Sequence, residues 1–194
     1  MKKDRIRELA EERIAMGYSR QHMQDELVMM HPELKPERIG KVLRYLAPET
    51  TRAYFRSYQH GLLAVVVLAG AFELARALGK IMTEDVQPWR WFGVVPFATL
   101  FLGYALFKWR GESLLWLAIF NGFGALGLIA ELRDLLAGEP DAWALGRKSL
   151  SLVICILASY LYYRAFPRYK VDKDPLGNGP TRIVFPPEPG VAMM

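Results

Sequence analysis

Four long apolar runs occupy the middle of the chain and constrain its fold more than any other feature. They cover residues 61–79, 91–107, 113–130 and 149–163. A helix of about 20 apolar residues is long enough to cross the hydrocarbon core of a bilayer. Because backbone groups in lipid must be hydrogen-bonded within the segment, we interpret each run as a helix. The sequence therefore predicts an all-α integral membrane protein, in which residues 61–166 form a four-helix transmembrane bundle.

The alternative fold is a large soluble helical protein with a buried core. Such a protein needs a polar face on each helix, but residues 91–107 and 113–130 contain no charged residue. Composition excludes two further classes. With 52% hydrophobic residues the chain is not a disordered tail protein, and with one cysteine it is not a disulfide scaffold. We therefore favour insertion in a membrane.

Aromatic and basic residues near the ends of the predicted spans support a bilayer. Trp and Tyr favour the membrane interface because their rings are apolar and their tips are polar. We also expect residues 49–60 to form a juxtamembrane amphipathic helix, with arginines that reach lipid phosphates. The predicted lipid-interface residues are Arg52, Tyr54, Arg56, Tyr58, Trp89, Trp91, Trp109, Trp116 and Trp143.

The distribution of basic residues predicts the orientation. With four spans, the N-terminal segment, the short 108–112 loop and the C-terminal tail lie on one side, and this side carries 19 of the 25 Lys and Arg residues. Because positive charge in short flanks marks the cytoplasmic side, both termini are predicted to be cytoplasmic. The first apolar run begins near residue 61, so we expect this run to direct insertion, with no cleavable signal peptide.

Two short segments outside the membrane have patterns of their own. Residues 1–48 are predicted to form a small cytoplasmic three-helix domain, with Gly17 ending the first helix, Ser19 capping the second and Pro36 opening the third. Residues 167–194 contain two alternating stretches around turn-forming residues, which predicts a short β-hairpin-like tail. Neither piece buries enough surface to be stable alone, so we expect the hairpin to dock on the helices or on another chain.

Ionisable residues inside the predicted spans form a candidate site, because a charge in lipid is costly without a partner. Glu73 and Arg76 lie in the outer half of the first span, at the depth where the third span ends. We predict a charge clamp in which Glu73 pairs with Arg133, or Arg76 with Glu131 or Asp134. Two alternatives are extension of these side chains to the outer interface and a proton or ion pathway built on Glu73. The predicted intramembrane charge cluster is Glu73, Arg76, Glu131, Arg133 and Asp134.

Small and weakly polar residues recur on three of the spans. They allow close helix packing, within the chain or between copies, and the alternative is a pore lining. We further expect the amide of Asn121 to hydrogen-bond across helices. The set is Thr99, Gly103, Asn121, Gly122, Gly124, Gly127, Ser151, Cys155 and Ser159.

Signals for catalysis are weak. His22, His31 and His60 lack the spacing of metal ligands, and we expect neither a metal nor another cofactor. Residues 1–60 carry 12 basic and 9 acidic side chains, which is too evenly mixed to favour nucleic-acid binding. We therefore predict a non-enzymatic accessory or scaffold subunit, with the lipid bilayer and either further copies or a protein subunit as partners. The alternative is a small homo-oligomeric channel or secondary transporter that uses Glu73.

Overall fold

The structure is a computed structural model, and it describes residues 3–83, 97–138, 141–172 and 181–188. It is mostly helical. The chain divides into two compact units. We call residues 1–57, 109–112 and 161–194 the head unit, and residues 58–108 and 113–160 the span unit.

The elements follow one another along the described ranges as a series of helices and then a pair of short strands. They are α1 (Lys3–Ala15), α2 (Arg20–Met30), α3 (Pro36–Leu43), α4 (Glu49–Thr83), α5 (Phe97–Phe107), α6 (Gly111–Ala125), α7 (Leu128–Leu136), α8 (Ala142–Ala165), β1 (Lys170–Asp172) and β2 (Arg182–Val184).

The first three helices occur where their caps predict them. The Ser19 hydroxyl accepts a hydrogen bond from the His22 amide at 3.2 Å and so caps α2. Pro36 opens α3, where its missing N–H costs nothing. Gly17 follows α1 with a φ of 93°, a left-handed conformation that favours glycine. Local chemistry therefore defines where α1 ends and where α2 and α3 begin.

The two strands pair in antiparallel fashion, as the alternating tail predicts, and Val171 lies opposite Ile183. Ile183 is 1% exposed and joins Phe185 in one apolar core with residues of α1, α2 and α3. The approach is close, because a Cβ on Gly40 of α3 would lie 3.2 Å from Ile183 Cγ2. The C-terminal strand thus completes a core that three short helices could not close.

Among the residues that the structure describes, three stretches are long and apolar enough to cross a membrane, namely Glu49–Gly79, Gly111–Leu136 and Ala142–Ala165. In each, only 17% of the most apolar window is buried inside the protein. Apolar surfaces of this size are costly in contact with water. They are therefore compatible with an integral membrane protein. Of the second predicted span, residues 91–96 lie outside the described residues and 97–107 form α5.

Helix α5 runs antiparallel to α4 within the span unit. Gln59, buried on α4, donates to the Leu106 carbonyl in the last turn of α5 at 2.9 Å. A Cβ on Gly103 would lie 3.7 Å from Val66 Cγ1, four residues before the point at which α5 ends. The end of α5 therefore packs beside the part of α4 that begins the span unit.

The helix boundaries differ from the predicted ones in the first and third spans. Residues 49–60 are continuous with the first span, so α4 is one helix of 35 residues. The predicted third span, residues 113–130, is instead divided between α6 and α7. The division occurs at Gly127, whose φ of 88° does not fit a right-handed helix.

The fourth helix is longer than predicted. It begins at Ala142 instead of residue 149, so it includes Arg147 and Lys148, which precede the predicted span. Long basic side chains are good helix formers and do not stop a helix. The start is fixed by Asp141, whose Oδ1 accepts hydrogen bonds from the Trp143 and Ala144 amides at 3.0 Å each. At 24 residues α8 has a full spanning length.

Candidate functional site

A buried arginine holds the head unit together. Arg20, in the first turn of α2, is 1% exposed. Its Nε donates to the Leu46 carbonyl at 2.8 Å and its Nη2 to the Ala165 carbonyl at 2.6 Å. Its guanidinium lies 5.9 Å from the centre of the Phe166 ring. Burial lowers the pKa of Arg20 to about 10, against the opposing effect of Glu188, so the side chain is still charged at neutral pH.

Polar contacts of α2 also hold the C-terminal segment. The Gln21 side chain accepts from the Phe185 amide at 2.9 Å and donates to the Ile183 carbonyl at 3.2 Å. Farther along, Glu188 accepts from the Arg20 amide at 2.9 Å and from the Thr50 hydroxyl at 3.2 Å. Both backbone and side chains therefore fix the tail beside α2.

A basic groove is open on the head unit, with a volume of about 670 Å³. Its lining residues come from α3, the segment after α3 and the segment after α8, and they are Arg38, Lys41, Val42, Arg44, Tyr45, Arg168 and Tyr169. Arg44 is held in place, because its Nη2 donates to the Tyr162 hydroxyl at 2.8 Å and its guanidinium packs over the Tyr45 ring at 5.4 Å. In the described part of the chain, Arg38, Lys41 and Arg168 form no ion pair. The groove is therefore strongly electropositive.

A second cavity, which we call the span cavity, lies between α4, α6 and α8 in the span unit and has a volume of about 320 Å³. Most of its lining is aliphatic or aromatic. Its polar lining residues are Glu73, Asn121, Arg147 and Ser151. The structure thus brings Glu73 together with three residues of the predicted small-residue set, Asn121, Gly124 and Ser151, and with Arg147, a cation outside the predicted site.

The Glu131 carboxylate makes an ion pair with Lys148 of α8, and each side chain is only 17% exposed. The Lys148 Nζ also lies 3.4 Å from the Gly127 carbonyl, at the junction of α6 and α7. The partner of Glu131 in the structure is thus a residue that the sequence analysis did not consider. The pairs suggested for Glu73, Arg76, Arg133 and Asp134 stay predictions.

The small residues of α6 face those of α8. A Cβ on Gly122 would lie 3.5 Å from Cys155 Sγ, and one on Gly124 would lie 3.0 Å from Ser151 Oγ. The Asn121 amide donates to the Leu117 carbonyl of its own helix at 2.9 Å, and its predicted bond across helices stays a prediction. A polar side chain on a helix can reach the backbone carbonyl one turn back. The Thr99 side chain lies outside the described residues, and Ser159 is half-buried.

The predicted interface residues have mixed environments. Arg52 donates to the Ala47 carbonyl at 2.8 Å, a bond that the sequence pattern did not indicate. Tyr54, Tyr58, Trp116 and Trp143 are exposed, as interface residues are, and Arg56 is exposed beside them on α4. Trp109 is partly exposed, and Trp89 and Trp91 lie outside the described residues.

Sequence reasoning missed Arg20 and the basic groove for different reasons. Arg20 precedes Met23 and Leu27 at helical spacing, so a cation at the head of an apolar stripe was a usable signal. The groove joins residues far apart in the chain, for which no local pattern exists. Among the described residues, no cluster of His, Cys, Asp and Glu is arranged to hold a metal ion.

Comparisons with known proteins give no relative for this chain: no protein-family model, no curated protein and no solved structure matches it.

Proposed function

We propose that the chain is a non-enzymatic integral membrane protein that acts as an accessory or scaffold subunit of a membrane complex. In this proposal four transmembrane helices anchor it, and the head unit offers a docking surface in the cytoplasm. The observation that carries the proposal is the shared core of the two chain ends. Because Ile183 and Phe185 pack with α1, α2 and α3, the N-terminal helices and the tail lie on the same side of any membrane that the chain crosses.

Parity then favours a fourth crossing. A chain whose two ends lie on one side crosses the bilayer an even number of times, and three stretches already have the length and composition of spans. The apolar residues 91–107 are the remaining segment that could supply the fourth.

Contacts at the helix ends support the same topology. The Gly111 amide donates to the Tyr45 carbonyl at 3.4 Å, so α6 begins beside the segment that follows α3. A Cβ on Gly111 would lie 2.8 Å from the Phe166 ring, directly after the end of α8. Since α4 also begins in the head unit, the chain must return between α4 and α6, and α5 runs in the direction that this return requires.

Cysteine labelling tests the topology. In a Cys155→Ser background, single cysteines replace Met29, Asp85, Arg110, Gly138 and Val171, and a membrane-impermeant maleimide is added to intact cells. We expect labelling of Asp85→Cys and Gly138→Cys only. Labelling of Met29→Cys or Val171→Cys in intact cells would contradict cytoplasmic ends, and protection of Asp85→Cys would contradict the fourth crossing.

The subunit role is tested by native mass spectrometry of protein released in mild detergent. We expect a homo-oligomer or a heteromeric assembly, because small residues recur on the spans and allow close helix packing between chains. A stable monomer in gentle detergent would contradict the proposal.

The span cavity favours a second candidate function, a homo-oligomeric channel or secondary transporter. Glu73 lines this cavity together with Arg147, Asn121 and Ser151, in an otherwise apolar surround. An ionisable group in such a position is typical of ion and proton pathways. Flux into liposomes that contain the purified protein tests it. Glu73→Gln should abolish the flux, whereas Glu12→Gln, the same change at an exposed acid of the head unit, should leave it unchanged.

A further inference from the structure

We propose that the basic groove of the head unit binds the phosphate headgroup of an anionic phospholipid. This inference rests on the membrane insertion contained in the proposed function, but not on the subunit role. The groove is lined by four basic residues and no acidic one, and its residues make no contribution to the apolar core apart from Val42 and Tyr169.

The charges of the groove suit a phosphate group. Arg38, Lys41 and Arg168 are exposed and have no carboxylate partner in the described residues, while Arg44 is fixed by Tyr162 and by ring stacking. Guanidinium groups bind phosphate oxygens through paired N–H donors, and an ammonium adds a point charge. A volume of about 670 Å³ accommodates a lipid headgroup.

The groove also lies at the ends of the candidate spans. Arg168 follows the end of the Ala142–Ala165 stretch by three residues, and Tyr162, which holds Arg44, belongs to the last turn of that stretch. The Tyr45 carbonyl accepts from Gly111, the first residue of the Gly111–Leu136 stretch. Span ends lie at the level of lipid headgroups, where amphipathic rings such as Tyr45 and Tyr169 are favoured. Basic pockets at this level bind anionic headgroups.

A lipid fits the groove better than an acidic peptide. Peptide grooves combine charge with apolar pockets for alternate side chains, whereas Val42 is the single aliphatic residue in this lining. A headgroup requires only the charges and hydroxyl groups that are present. Anionic lipids of the cytoplasmic leaflet also lie next to an inserted helix.

Binding of soluble short-chain lipids to the full chain in mild detergent tests the proposal. The probes are dioctanoyl-phosphatidylglycerol and dioctanoyl-phosphatidylcholine, measured by native mass spectrometry and calorimetry. The test variant is R38Q/K41Q/R168Q. The matched control is R5Q/K35Q/R182Q. It also removes two arginines and one lysine, but from exposed positions of the head unit outside the groove.

We expect phosphatidylglycerol to bind more tightly than phosphatidylcholine, and the test variant to lose about a hundred-fold in affinity, since each basic residue near an anionic lipid contributes about five-fold. The control should change by less than about five-fold, the effect of one such residue. Each single substitution, R38Q, K41Q or R168Q, should lose about five-fold, and these mildest variants keep the test valid if the triple variant does not fold.

Two competitors identify the source of the phosphate. Inorganic phosphate should compete weakly, and a polyglutamate peptide should not compete. Equal loss in test and control variants, inorganic phosphate that binds as tightly as the lipid, or tight binding of polyglutamate would overturn the proposal. Because the probes are soluble, lipid binding is measured independently of membrane topology and of assembly. A failed lipid-binding test would contradict the groove proposal alone, whereas a failed topology or subunit test would contradict the proposed function.

Discussion

The head unit and the span unit use the same apolar residue types in opposite ways. In the head unit Ile6, Ile14 and Leu43 are fully buried under a surface of charged side chains. In the span unit Phe101, Phe123 and Ile129 are exposed, although they are equally apolar. An apolar surface of this kind is stable only when lipid or another protein covers it. The exposed fraction of an apolar side chain therefore has to be judged against the medium that covers its unit, water or lipid.

Charged residues show the complementary difference. The head unit buries one arginine and compensates it with two carbonyl hydrogen bonds. The span unit pairs Lys148 with Glu131, and it directs Glu73 into a cavity lined by other helices. The head unit thus gives its buried arginine hydrogen-bond partners, and the span unit gives Lys148 and Glu131 each other.

The largest effect is expected at Ile183. Ile183→Ala removes a fully buried side chain from the head core and should lower its free energy of unfolding by about 4 kcal/mol. Hydrogen–deuterium exchange of the α1–α3 amides, with denaturant titration in detergent, measures this loss. Val171→Ala is the matched control, because Val171 lies opposite Ile183 on β1 and is 43% exposed. Equal effects of the two substitutions would contradict the shared core.

Replacing an exposed apolar residue by arginine should have a large effect in the span unit and a small one in the head unit. Val67 of the span unit is 63% exposed, and Met29 of the head unit is 77% exposed. Val67→Arg should disfavour membrane insertion by about 3 kcal/mol. Met29→Arg should change stability by less than about 0.5 kcal/mol, because its surroundings are water. Carbonate extraction and insertion assays measure the first, and thermal unfolding the second. An inert Val67→Arg would show that lipid does not cover this face.

A smaller effect is expected from the ion pair of the span unit. Lys148→Met leaves the half-buried Glu131 without its cation and should cost about 2 kcal/mol. The double variant Glu131→Gln/Lys148→Met should recover most of that loss, since no unpaired charge is left. Thermal unfolding in detergent provides the double-mutant cycle, with Lys170→Met, the same change at an exposed lysine on β1, as control. Additive losses would exclude coupling.

The smallest effect is expected at the start of α8. Hydrogen bonds from the amides of Ala144 and Trp143 hold the pKa of Asp141 below its ordinary value. Because the folded pKa is lowered, this carboxylate stabilises the helix end at neutral pH, and the contribution is lost as the pH falls through and below the ordinary aspartate range. Asp141→Ala should make exchange of the first α8 amides a few-fold faster at neutral pH and remove its acid dependence. An unchanged acid dependence in Asp141→Ala would contradict this role.

Much of the fold could be predicted from local sequence. The apolar runs, the Ser19 and Pro36 start signals and the alternating tail each depend on neighbouring residues, and the structure has helices and strands at these places. The start of α8 could not be predicted in the same way. Arg147 and Lys148 looked like a loop beside a short apolar run, whereas the helix start depends on the Asp141 cap, seven residues before Lys148.

The candidate sites were less predictable, because they depend on contacts between distant segments. Glu73 was identified by its charge in an apolar run, but its neighbour Arg147 lies on another helix. Gly127 was assigned to helix packing, and its positive φ could not be inferred from its residue type. Arg38 and Arg168 meet in one groove only after the whole head unit has folded.

The shared core of the head unit has a consequence for biosynthesis. The helices α1, α2 and α3 are synthesised long before β2, so their apolar core stays open on one side until Ile183 and Phe185 have been added to the chain. A polypeptide terminated before β2 would keep this apolar surface exposed, and chaperones and proteases recognise such surfaces.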